Sequence, residues 1–239
     1  MNDVTSLELD DGVTFLPFRE GSYWQSMEYG PMYDDVDELY TTRTHVFLNF
    51  GDSDIKEHIS IDIDLHFEWQ PKPVSLLYQP LSGEPFTLAY TAPLSLQIAW
   101  KLHQSLEWLR IKDVHDLILL LQHPIYDLPA IEETVAHLVD ECYISSGDHQ
   151  KNETHIKLLL ENDFENIRHT QNPPDYSKLW KEWVDYAKVN NIKLMAASFE
   201  EMRVQLQDAL VKSDFKEYVE VFGLPQPSDE AKYYRKHYW

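Results

Sequence analysis

The chain predicts an α+β fold, strands first and helices after, and three observations carry that prediction. Apolar residues alternate with polar ones up to about residue 91 and recur at helical spacing from Pro93 onward. Two alternating runs flank the turn "GDSD" (51–54), as the arms of an antiparallel hairpin do. Two apolar stripes then lie within residues 94–121, each with the three-and-four spacing of a helix face.

The elements follow in order. "TRTHVFLNF" (42–50) and "EHISIDIDLHFEW" (57–69) form the hairpin arms. In the second arm Ile59, Ile61, Ile63, Leu65 and Phe67 share one face, while His58, Ser60, Asp62, Asp64, His66 and Glu68 share the other. "QPKP" (70–73) ends that strand, because proline offers no N–H to a ladder, and "FTLAY" (86–90) reads as one more short strand. Pro93 suits the first turn of a helix striped by Ile98, Leu102, Leu106 and Leu109; after "RIK" the next stripe is Val114, Leu117, Ile118 and Leu121. Further helices are predicted over 129–143, 152–168, 177–189 and 198–212, separated by "SSGD", "QNPPD" and "NNIK". "PQPSDE" (225–230) reads as a hinge. The expected regions are therefore a strand-rich 1–92, a helical 93–224 and a basic, aromatic tail over 225–239.

Composition narrows the classes of function. A chain of 239 residues that is 43% hydrophobic can build a sizeable core. No run approaches the roughly 18 apolar residues needed to span a bilayer, and the acidic "MNDVTSLELDDG" lacks the basic and apolar segments of a signal peptide. A cytoplasmic protein without a membrane partner is expected. The single cysteine, Cys142, excludes an internal disulfide and reads as a small buried apolar residue. Lys and Arg total 20 against 41 Asp and Glu, a formal net charge of −21 that repels nucleic acid at long range, so no DNA partner is expected. The local exception is "KYYRKHYW", where Lys232, Arg235 and Lys236 interleave with aromatic rings. No GxxxxGK[ST], GxGxxG after a strand, HExxH or GxSxG occurs, and the 11 histidines lack metal-ligand spacing.

Carboxylates are what remain. Asp62 and Asp64 stand two apart on a predicted strand, the arrangement that directs two hard oxygen donors toward one cation such as Mg²⁺. A metal held there can stabilise the entering and leaving oxygens of phosphoryl transfer. The same alternation also produces an ordinary solvated outer face. In "KDVHD", Asp113 stands where the second helix should begin, so Asp113 as N-cap with Asp116 near N3 is a structural reading. Lys101 lies beside the Ile98/Leu102 stripe, from which it could simply snorkel outward.

Residues 10–121 carry these pieces in a familiar order: "DDGVTF" (10–15), "YTTRTHVFL", "SIDIDLHF", "AWKL" (99–102) and "KDVHDL" (112–117). In order and spacing they resemble the AbiEii/AbiGii nucleotidyltransferase family, the bacterial toxins of type IV toxin–antitoxin and abortive-infection systems. The resemblance implies a polymerase-beta-like nucleotidyltransferase core, with a small antiparallel or mixed sheet and a helical C-terminal region. It implies that Asp62 is a catalytic carboxylate, that Lys101 contacts nucleotide phosphates, with Lys112 as a second nucleotide-binding lysine, and that Asp113 and Asp116 are the family's catalytic acids of the following helix. Mg²⁺ and an NTP are the implied cofactors, and an RNA end or protein hydroxyl the acceptor; a cognate antitoxin is the implied protein partner. Trp100 stands where the family's "A-E-K" has glutamate, and Ser95 where an acid is common. The family's glycine-rich strand end and Asp-x-Asp pair have no counterpart ahead of Asp10; the nearest pattern is Gly21-Ser22 followed by Asp35 and Asp37. Two expectations follow: a transferase that moves a nucleoside monophosphate, or a catalytically incomplete homologue that acts as a binding or regulatory module in phage defence. A third is an interaction protein whose negative charge is itself the function.

Overall fold

The computed structural model describes residues 13–15, 24–29, 40–50, 56–64, 72–78, 84–164, 166–167, 175–189 and 192–238. It is α+β and mostly helical, and it divides into two compact units, Met1–Gln70 and Pro71–Trp239.

The first unit holds a four-stranded antiparallel sheet made of β1 (Val13–Phe15), β2 (Trp24–Tyr29), β3 (Tyr40–Phe50) and β4 (Lys56–Asp64). The predicted hairpin is β3–β4, in unbroken register from Asn49↔Lys56 to Thr41↔Asp64. β3 is long enough to take β2 along its first half and β1 along its last three residues, with β4 on the opposite edge. The strand expected over 57–69 is described as far as Asp64; residues 65–71 lie outside the described residues.

The second unit begins with a two-stranded antiparallel hairpin, β5 (Val74–Tyr78) and β6 (Phe86–Thr91). β6 is the predicted "FTLAY" strand, while β5 has no counterpart in the sequence reading. Apolar Leu76 and Leu77 are adjacent, and this breaks the strict alternation that signals a strand. The division falls between Gln70 and Pro71, so both strands belong to the same unit as the helices.

Eight helices follow among the described residues: α1 (Leu94–Glu107), α2 (Ile111–Leu121), α3 (Leu128–Ser146), α4 (His149–Leu160), α5 (Tyr176–Val189), α6 (Phe199–Lys212), α7 (Phe215–Phe222) and α8 (Asp229–Tyr238). Their ends follow from local chemistry. Asp127, Asp148 and Ser198 each accept a hydrogen bond from the N–H three residues on, Ala130, Lys151 and Glu201, and so cap α3, α4 and α6. Glu201 in turn accepts from the Ala197 N–H at 2.7 Å. Gly147 stops α3 in the left-handed conformation at φ 71°. The 152–168 prediction is displaced: α4 begins at His149, behind the Asp148 cap, and ends at Leu160.

All eight residues of the two predicted stripes are buried, and they join one core with Leu138, Ile156, Leu159, Met202, Leu206 and Phe215. α1 packs against α2 and α3, and α2 against α5 and α6. Two side-chain bonds pin α1 to α3: Ser95 Oγ donates to Glu133 Oε2 and Trp100 Nε1 to Glu141 Oε1, both at 3.0 Å. The expected tail contains a helix, α8, docked on α3. Ala231 is buried, and Arg235 Nη1 donates to the carbonyls of Ile144 and Ser145, both at 2.9 Å.

Candidate functional site

α1 and α2 are joined by only Trp108, Leu109 and Arg110, and this short connection returns the start of α2 to the side of α1 that carries Lys101. Lys101 Nζ donates to Asp113 Oδ1 at 2.6 Å and to Asp116 Oδ2 at 3.0 Å. The other oxygen of Asp113 accepts from Arg110 Nε. Asp113 is therefore shared by two cations, and its side chain is only 1% exposed, against 26% for Lys101 and 58% for Arg110.

Asp113 does not cap α2. Arg110 holds the N-cap position in extended backbone, no side chain caps the helix, and Asp113 is its third residue. Hydrogen bonds between charged partners are about twice as strong as neutral ones, so a carboxylate flanked by an ammonium and a guanidinium turns to them and leaves the backbone N–H groups. Lys101 likewise does not simply snorkel outward: its amine ends on two carboxylates.

The electrostatics favour the charged forms of Lys101 and Asp116. Burial by itself would lower the Lys101 pKa, but hydrogen bonds and charge from Asp113 and Asp116 outweigh it and hold the amine above its ordinary value. Burial would likewise raise Asp116; hydrogen bonds from His115 and Lys101, with the charges of Lys101 and Lys112, keep it below the usual carboxylate range. Lys112 is exposed, with Nζ 5.8 Å from the centroid of the Tyr186 ring. Tyr186 stacks on Trp183, and Trp183 lies 5.0 Å from His115 between ring centroids.

Of the residues marked by the sequence, Lys101, Asp113 and Asp116 meet at one point, with Lys112 beside them. Asp62 and Asp64 belong to the first unit, where they occupy alternate positions of β4 opposite Arg43 and Thr41. Gly21, Ser22, Asp35 and Asp37 lie outside the described residues. Among the described residues no group of three or more His, Cys, Asp or Glu side chains is gathered to hold a metal ion. Asp113 and Asp116 are engaged by lysine and arginine, which does not suit them to metal ligation. Trp100 and Ser95, the departures from the family pattern, serve the contact with α3. Cys142 is buried, and burial together with the charges of Glu107 and Glu141 pushes its thiol up. No helix among the described residues is long and apolar enough to cross a membrane.

No family model, curated protein or solved structure matches this chain.

Sequence reasoning missed Arg110, His115, Trp183 and Tyr186. Arg110 carried a usable signal, since it stands three residues before Asp113 at the start of a helix, a spacing at which opposite charges meet. The contact between α2 and α5 joins residues about 70 apart in the chain and has no local signature.

Proposed function

We propose that this chain is a nucleotidyltransferase-like protein of the toxin type, moving a nucleoside monophosphate from an NTP onto an RNA end or a protein hydroxyl. One observation carries the reading: the three helical residues singled out by the family resemblance, Lys101, Asp113 and Asp116, are joined by direct hydrogen bonds across two helices. In this reading Lys101 is a fixed positive charge for the nucleotide's phosphates. The two carboxylates are positioning residues that keep it protonated and aimed, and phosphoryl chemistry is served mainly by such positioning and charge. Asp62 and Asp64 have the oxygen donor chemistry that suits a hard cation, and Mg²⁺ there would supply charge stabilisation of the transferring phosphate. A cognate antitoxin is the protein partner this reading calls for.

The test is to incubate the purified protein with each α-labelled NTP, total RNA and cell lysate, with and without Mg²⁺. Label should appear only with Mg²⁺ and should vanish in Asp62→Asn. No label with any of the four NTPs would end the transferase reading.

Trp100 favours a second reading. At the family's glutamate position, its indole N–H is spent on Glu141 of α3. A homologue that binds without catalysing would show NTP uptake by calorimetry and no transfer. An absence of both NTP and Mg²⁺ binding would leave a protein partner as its only target.

A further inference from the structure

We infer that Arg110 is a second phosphate-binding cation, strapped beside Lys101 by Asp113, and that the two together take the polyphosphate of a nucleoside triphosphate. The inference rests on the nucleotidyltransferase reading and adds to it a residue that neither composition nor resemblance marks.

Asp113 divides its carboxylate, giving Oδ1 to Lys101 Nζ and Oδ2 to Arg110 Nε. That arrangement sets two like charges side by side, which they avoid unless an anion bridges them. The bridging carboxylate of Asp113 is shut away from solvent, whereas Arg110 is 58% exposed, so in this pair the cation meets solvent and the acid does not. Only the Nε of Arg110 is used. Its two terminal nitrogens have no partner among the described residues, and they present the planar pair of donors that matches two oxygens of a phosphate. Lys101, Arg110 and Lys112 contribute three positive charges against two negative from Asp113 and Asp116, a local balance of +1 on a chain of net charge −21. Both acids being occupied, the cluster is suited to an anion. An Arg–Asp pair that served only the helix would need neither the second cation on the same carboxylate nor the free guanidinium edge.

Calorimetric titration of the whole chain with each NTP, with inorganic tripolyphosphate and with adenosine, in Mg²⁺ buffer, tests this. Arg110→Gln should weaken NTP and tripolyphosphate binding about tenfold, as loss of one charge-assisted contact does. It should also make binding less salt-dependent, and lower the melting temperature only as far as the Gln amide fails to replace the N–H donated to Asp113 Oδ2. Arg110→Lys keeps a cation for Asp113 while removing the planar donor pair; it should recover only part of the affinity, and it guards against a folding defect. If NTP binds the unaltered protein and Arg110→Gln equally well, this inference is overturned and the nucleotide reading stands. If the unaltered protein binds neither NTP nor tripolyphosphate, both are overturned.

Discussion

His103 sits on α1 two residues beyond Lys101, and its Nε2 is buried without a hydrogen-bond partner among the described residues. Burial lowers its pKa from 6.5 to about 4. Between those values the unfolded chain takes up a proton that the folded chain refuses, so stability falls as pH drops through this window. The loss is on the order of 3 kcal/mol at full effect. Replacing the ring by His103→Leu should flatten the pH dependence of the urea midpoint between about pH 6.5 and 4, as equilibrium unfolding would record. The charged cluster acts elsewhere on the pH scale. Lys101, raised above 10.5, stabilises the fold below that value and loses its contribution as pH rises through its folded pKa. Asp116, lowered below 3.8, contributes above that value and loses it as pH falls through its own. Asp113→Ala would leave two cations without their shared partner. Because Lys101 and Arg110 are partly exposed and can turn to water, the cost should be about 2 kcal/mol, less than breaking a fully buried pair. Urea unfolding at neutral pH would measure it.

At the scale of elements, the joint between α3 and α8 is the sharpest target. Gly147 adopts φ 71°, and a Cβ there would lie 2.9 Å from Arg235 Nε. Gly147→Ala should therefore cost about 1–2 kcal/mol, from left-handed backbone and from displacement of Arg235 off the carbonyls that end α3. A double-mutant cycle with Arg235→Ala should show coupling between the two. The elements also show where the chain is legible. Ile98, Leu102, Leu106, Leu109, Val114, Leu117, Ile118 and Leu121 announce their burial, because a helix buried on one face must repeat at its own period. Capping residues were less decisive. Asp113 has the right type for an N-cap and goes to Lys101 and Arg110, a choice set by neighbours that a linear pattern cannot display. The sequence reading marks no separate element for α7 within the helical 93–224, and α8 falls in what it reads as a tail. α7 is a short helix of 8 residues, and α8 opens with a polar run whose docking depends on α3, far back in the chain.

At the scale of the molecule, the continuous core among the described residues runs from Ile98 to Val219, in the second unit. Residues 71–239 expressed alone should therefore fold and melt in a single cooperative transition by circular dichroism; a broad, non-cooperative melt would show that they need the first unit. The sequence announced two kinds of structure, and hydrophobic period is a sound guide to that. The boundary at Gln70 and Pro71 was not legible, since a β-hairpin grouped with helices looks, in one dimension, like more of the preceding sheet. The candidate site was legible in its residues and not in its bonding. The short link between α1 and α2 has a further, kinetic consequence. Lys101 meets acids only 12 and 15 positions away, whereas Arg235 reaches back 90 and 91 residues to α3. Closing so short a loop sacrifices little chain entropy, so a refolding polypeptide can bring the lysine and its two acids together early, before its C-terminus has found its place.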